Sequence, residues 1–203
     1  MGCDIHIYTE AKKSVCGKKQ WINVDNWRLN EYAEEFEDED KYIINEIYKG
    51  RDYTLFNILA GVRDCSSEVF TICDPKGMPE DASAETVREY EGWRPDGHSH
   101  SYFTLQELYD YVDLHSGNVR YTKMVSKEDA EALDKHGTIP SSYCEWTTDT
   151  EYVQRSWTEK DTSLTELIDS LEERAREVLY IRDEGRIGAE DANKIRIVFW
   201  FDN

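Results

Sequence analysis

The chain ends in KIRIVFWFDN, where Ile195, Ile197, Phe199 and Phe201 alternate with Arg196, Val198, Trp200 and Asp202. Period-two alternation sends successive side chains to opposite faces, so this stretch reads as a strand, apolar on one face and mixed on the other. The start of the chain has the same character. From Asp4 to Glu10, Ile5 and Ile7 share one face and Asp4, His6 and Tyr8 the other. A turn around Cys16-Gly17-Lys18 leads to a second apolar run, Trp21 to Val24, which predicts a hairpin. If the first and last strands are neighbours, Asp202 and Asn203 approach Asp4 or His6.

Helical periodicity fills much of the remainder. Leu55, Ile58, Leu59 and Val62 form one stripe between Arg51 and Arg63, with Gly61 near its end. Thr104 and Glu107 match a capping box at the head of TLQELYDYV, and Ser163 and Glu166 match another. The helix started by Ser163 carries Leu164, Leu167, Ile168, Leu171, Ala175 and Val178, the strongest amphipathic pattern in the chain. SKEDAEALDKHG reads as a further helix stopped by Gly137. Between Pro75 and Asp96 the turn-rich DPKGMPEDAS predicts an irregular binding loop. The fold expected is α+β: a small, mainly antiparallel sheet including the N- and C-terminal strands, packed by three or more helices in a single domain, 1–203.

Composition narrows the function classes. A net charge of -19 and a pI near 4.6, with no Lys/Arg cluster, argue against nonspecific nucleic-acid binding. The acidic stretch Glu31 to Tyr42 suits solubility, or the occupation of a basic surface on a host protein. Six Trp and thirteen Tyr belong to a folded chain, not a disordered acidic one. No apolar run approaches the ~18 residues of a membrane helix, and no basic-then-apolar leader is visible, so a cytoplasmic protein with no membrane partner is expected. Five scattered cysteines (Cys3, Cys16, Cys65, Cys73, Cys144) read as thiols in a reducing compartment.

Two short clusters hold most of the chemistry. MGCDIH brings Asp4 and His6, and RPDGHSHS brings Asp96, His98 and His100. In extended backbone each set shares a face, and carboxylate with imidazole is the ligand pair that divalent ions such as zinc or manganese take. The predicted metal ligands are therefore Asp4, His6, Asp96, His98 and His100. The predicted catalytic groups are Asp4, His6, His98 and Asp202. The second cluster precedes the Thr104 helix, whose free N–H groups, with Ser99 and Ser101, suit an anion such as phosphate. Arg51 or Arg63 can clamp a phosphate, and Tyr53 or Trp93 can stack on a base. Neither cluster completes a known hydrolase signature, and no nucleophile elbow or phosphate-binding glycine loop appears.

MGCDIH, YTLFNILAGVR, the GMPEDAS turn, DGHSHSYFTLQEL and the closing VFWFDN together resemble a family of small bacteriophage and prophage proteins of uncharacterised activity. The resemblance covers roughly the first half and the last ten residues, and leaves a member-specific segment at about 116–193. It implies a phage setting and a location in the host cytoplasm, and brings no activity with it. Three functions are open to such a chain. One is a metal-dependent hydrolase of a phosphoester or nucleotide, which can be a host-defence signal. Another is a non-catalytic nucleotide-binding protein that sequesters that signal. The last is an acidic inhibitor of a host nucleic-acid-binding protein.

Overall fold

The computed structural model describes residues 2–33, 35, 40–63, 70–115, 118–160 and 162–202. Much of the acidic stretch (34, 36–39), Cys65 and Asn203 lie outside them. The architecture is α+β, and both terminal strands belong to its main antiparallel sheet. The contacts cluster into two compact units: Met1–Arg51, Pro75–Val112 and Thr165–Asn203 form the first, and Asp52–Asp74 with Asp113–Leu164 the second.

The first unit is built on β1 (Asp4–Val15), β2 (Lys18–Asn23), β5 (His98–Thr104) and β8 (Ile195–Asp202), in the order β2-β1-β8-β5. The expected hairpin joins β1 to β2 through Cys16 and Gly17, both with positive φ (49° and 79°), as a two-residue turn requires. A two-stranded ribbon follows, β3 (Asn26–Leu29) with β4 (Tyr42–Asn45).

The central strand β8 is flanked by β1 and β5, which explains why Ile195 to Phe201 are all buried. Its register sets the faces. Ile5 pairs with Phe201 and Ile7 with Phe199 on one face, while Asp4 pairs with Asp202, His6 with Trp200, Tyr8 with Val198 and Glu10 with Arg196 on the other. The first face is wholly apolar at these positions. The second face mixes aromatic rings with ionisable groups, and its far end is fixed by a buried ion pair. Arg196 donates to Glu10 at 2.8 Å and to Asp81 at 2.9 Å, while Glu10 also accepts the Ser83 N–H at 2.7 Å. The Arg196 guanidinium lies over the Trp21 ring, 4.1 Å from its centroid.

The segment expected to be one irregular loop contains a helix, α2 (Ala84–Gly92). Ser83 caps it by accepting the Thr86 N–H, and Pro75 to Asp81 supply the turns before it. The capping box at Thr104 forms as predicted. The Thr104 N–H donates to Glu107 at 2.8 Å and the Glu107 N–H to Thr104 Oγ1 at 3.2 Å, heading α3 (Leu105–His115). Helix α5 (Ser163–Leu179) begins at the predicted serine, and Leu167, Leu171 and Ala175 bury its stripe. A short α6 (Ala189–Ala192) precedes β8.

In the second unit, α1 (Tyr53–Ala60) is capped by Asp52 and closed by Gly61 in the left-handed region. Helix α4 (Lys127–His136) has Ser126 as its cap and ends at Gly137, also left-handed. Sequence analysis did not anticipate the nine-residue antiparallel ladder of β6 (Asn118–Ser126) with β7 (Tyr152–Lys160). Val119, Lys123 and Val125 alternate inward, and the lysine, paired with Glu145, masks the period. Among the described residues Cys3, Cys16, Cys73 and Cys144 form no disulfide.

Arg196→Ala should therefore destabilise the protein by about 3–5 kcal/mol in urea unfolding, because it strands a fully buried Glu10. Replacing both partners by Leu should recover most of that loss.

Candidate functional site

The β1–β8 register brings Asp4, His6 and Asp202 together across almost the whole length of the chain. The Asp4 N–H donates to Asp202 Oδ1 at 3.2 Å, and His6 Nε2 lies 3.6 Å from Asp202 Oδ2. That separation is an ion-pair contact slightly beyond hydrogen-bonding reach. Asp4 is held by Arg51 through two hydrogen bonds, 2.7 and 2.6 Å, in the fork geometry that guanidinium offers a carboxylate. The four groups grade from wet to dry. The side chains of Arg51 and Asp4 are 52% and 51% exposed, those of Asp202 and His6 20% and 12%.

Aromatic rings wall the dry end. The His6 ring lies on Trp93, with centroids 3.9 Å apart, and its cross-strand neighbour Trp200 stacks on Tyr8 at 4.9 Å. Tyr8, Ile44 and Trp200 form a core cluster against which Met78, Tyr90 and Trp93 pack. Burial holds the His6 imidazole below its ordinary range, and the Asp202, Asp4 and Glu89 charges oppose that shift only partly.

The predicted sharing of one face by Asp96, His98 and His100 does not hold. These histidines lie in extended backbone, in β5, but β5 contains a bulge. His98 opposes Phe201 while Ser101 opposes Phe199, so three steps on β5 span two on β8. Ser99 takes up the extra residue at φ 52°. The bulge restores His98 to the apolar face, against Phe201 at 6.0 Å, and turns His100 to the other, against Trp200 at 6.2 Å and edge-on to Tyr90 at 4.9 Å. Asp96 is exposed on the preceding turn.

The predicted metal ligands consequently do not assemble. Among the described residues no three His, Cys, Asp or Glu side chains form a group able to hold an ion. Asp4 is committed to Arg51, His98 faces the opposite side of the sheet from His6, and Asp96 stands apart. At the head of α3 the Thr104–Glu107 box occupies the Thr104 and Glu107 N–H groups. The Ser101 hydroxyl is buried and accepts the Lys76 N–H at 3.2 Å, while Ser99 Oγ and His98 Nδ1 lie 3.0 Å apart. Tyr53 and Arg63 belong to the second unit, where the guanidinium lies 5.8 Å from the ring centroid.

Sequence reasoning missed the groups that support His6 from outside its own strand. Strand β2 pairs with β1 only from Glu10 onward, so Ile7 and Thr9, which flank His6 and Tyr8, have no β2 partner. Carboxylates replace it. The Ile7 N–H donates to Glu46 at 2.9 Å and the Thr9 N–H to Asp25 at 2.8 Å. Burial pushes Glu46 up to about 7 and Asp25 up to about 6, and the hydrogen bonds only partly counter it. Nothing in the local sequence marks either acid. Trp200 was legible as a strand residue, but its place opposite His6 depends on the register.

Comparison with protein-family models, with curated proteins and with solved structures gives no match. No described helix is long and apolar enough to cross a membrane.

The two raised carboxyls make a pH prediction. Each holds its proton more tightly folded than unfolded, so the stability they contribute is full below about 4. It is lost as pH rises from the ordinary values, 4.5 and 3.8, through about 7 and about 6. Urea unfolding of Glu46→Gln, whose amide oxygen can still accept the Ile7 N–H, should show a flatter decline of stability between pH 4.5 and 7 than the parent.

Proposed function

We propose that the first unit binds a small phosphorylated molecule, of the nucleotide class, at the Asp4–His6–Asp202 end of its sheet and hydrolyses it by acid–base chemistry. The observation that carries this reading is the His6–Asp202 contact beside an Asp4–Arg51 fork. A nearly buried imidazole faces a carboxylate, and a cation stands at the exposed rim. The Asp202 charge, 3.6 Å from Nε2, favours the tautomer with its proton on Nε2 and leaves Nδ1 to accept a proton. Because burial keeps His6 neutral, the ring is available as a base at pH 7.

The roles follow from exposure. Arg51, half exposed, can exchange one of its carboxylate bonds for a phosphoryl oxygen while Asp4 stays near enough to orient it. His6 then accepts a proton from a water that attacks phosphorus, the P–O bond to the leaving group breaks, and the imidazolium, stabilised by Asp202, returns the proton to the departing oxygen. Trp93 covers the imidazole and is the aromatic surface on which a base can stack when the 93–97 turn lifts. A phage or prophage origin, a cytoplasmic setting and a host-defence signal as substrate accord with this reading and rest on the sequence resemblance. Sequestration without turnover is the second reading, favoured by how little of His6 is exposed.

Purified protein assayed against a nucleotide panel and a p-nitrophenyl phosphodiester should release product. His6→Ala should lower kcat about 10²–10⁴-fold. Asp202→Asn should lower kcat with little change in KM, and the acid limb of the parent's kcat/KM profile should fall below pH 6.5. A nucleotide that raises the melting midpoint but is recovered intact would replace hydrolysis by sequestration. No turnover and no stabilisation by any member of the panel would end both.

A further inference from the structure

The β3–β4 ribbon carries an apolar face out of the core and into solvent. Its register sets Trp27 opposite Ile44 and Leu29 opposite Tyr42, and residues two apart on a strand share a face, so the four side chains lie together. Ile44 is buried in the cluster with Tyr8 and Trp200. The other three leave it: Trp27 is 45% exposed, Leu29 54% and Tyr42 52%. Single apolar residues on a surface are ordinary, but three joined across a ladder make a patch continuous with the core.

Strand β3 is also an open edge. Among the described residues its one strand partner is β4, and all four of its residues are exposed. A strand paired on one side turns alternate N–H and C=O groups outward, as a template for another strand. Asn26 to Leu29 contains no proline and no break in register, and its one charged residue, Arg28, lies on the face opposite Trp27 and Leu29. On that opposite face Asn26 and Asn45 help to line a cleft of about 260 Å³ with Glu46, Glu173 and Glu177. Arg174, also in the cleft, donates to Glu177 at 2.6 Å, which leaves Glu46 and Glu173 in excess. The ribbon is therefore apolar on one face and borders acid on the other, with an unfilled edge between.

Charge selects the occupant. Exposed Glu31 and Glu35 follow β3, and exposed Asp40 precedes β4. Arg88 of α2 lies 5.7 Å from the Trp27 ring centroid, but it is bonded to Glu89 at 2.8 Å and lies 3.8 Å from Asp40. Lys41 lies 5.7 Å from the Tyr42 ring centroid. A second copy of the chain, a nucleic acid and an anionic membrane are all repelled by a protein of net charge -19, whereas a basic protein is drawn to it.

We propose that β3 docks an extended, lysine- or arginine-rich segment of a basic partner protein, which adds to the ribbon as a third strand. Period-two alternation makes the match. Apolar side chains of the segment cover Trp27, Leu29 and Tyr42, and the basic ones between them face the acid-lined cleft. A two-stranded ribbon gains most from a third strand when one of its faces is apolar, as here. This inference does not rest on the hydrolase reading, since the ribbon carries none of that site's groups.

The probe is a fluorescein-labelled peptide of about ten residues, alternating lysine and valine, followed by fluorescence anisotropy on the whole chain. It should bind saturably. Trp27→Ser and Leu29→Ser, both at exposed positions, should each weaken binding roughly tenfold. Of two alternately N-methylated forms of the peptide, each lacking the donors of one edge, one should lose binding. A glutamate–valine peptide should not bind. Binding that ignores both serine variants and both methylated forms, and disappears by about 0.3 M salt, would be bulk attraction between charges and would overturn the strand site. Equal binding of the glutamate–valine peptide would overturn the basic partner. A dimer in sedimentation that Leu29→Ser dissolves would give the face to a second copy, and no binding of any peptide would leave it without a strand; either would overturn the proposal.

Discussion

The pairing of β1 with β8 is the constraint on which the rest depends. It joins residues almost two hundred positions apart, and its register decides which side chains meet. A slip of one residue would send Ile5 and Ile7 to the polar face and His6 to the core. Two unlike forces prevent it. On one face Ile5, Ile7, Phe199 and Phe201 gain about 1.5–3 kcal/mol each from burial, a gain lost if the strand inverts. On the other, Glu10 and Arg196 neutralise each other only in this register, and a buried charge left alone is far more costly than any single apolar contact. The site at the opposite end of the strands is therefore positioned by groups that take no part in its chemistry.

The same strand shows what the site costs the fold. Over residues 5–9 β1 has given up its partner on the β2 side, and two acids serve its N–H groups instead. A strand in that place would have satisfied the backbone without introducing charge. Using carboxyls leaves groups that titrate near neutrality directly behind His6 and Tyr8. Both acids raise the proton affinity of Tyr8, and burial does so more strongly. Beside the Glu10–Arg196 and Asp4–Arg51 ion pairs, this part of the sheet holds groups whose ionisation is suppressed: His6 and His100 kept neutral, Tyr8 kept protonated, Glu46 divided between its two states near pH 7.

How much of this was legible follows from what each signal depends on. The terminal strands, the β1–β2 turn, the cap at Thr104 and the stop at Gly137 are local, and each appeared in the sequence with its physical cause attached. Helix α2 was obscured because Pro75, Gly77 and Pro79 made the whole segment look like loop, although Ser83 followed by AETVREYE carries a cap and a helix-forming run. The β6–β7 ladder was obscured by a lysine on its inward face. Asp4, His6 and Asp202 come together as expected because their convergence needed only that two obvious strands be adjacent. Asp25 and Glu46 were invisible, since their role is set by where β2 stops pairing.

The bulge at Ser99 marks where period-two reasoning fails, and it also decides the chemistry. Without it, His98 and His100 would share a face, and a carboxylate–imidazole cage around an ion would be within reach. With it, one histidine fills the apolar face and the other meets Trp200. A single left-handed residue thus splits a potential set of metal ligands into one ring on each face of the sheet. No count of histidines in the sequence distinguishes these outcomes. The distinction lies in one serine at positive φ on an edge strand, where the cost of the conformation is modest and the outer ladder of β5 has no strand to lose.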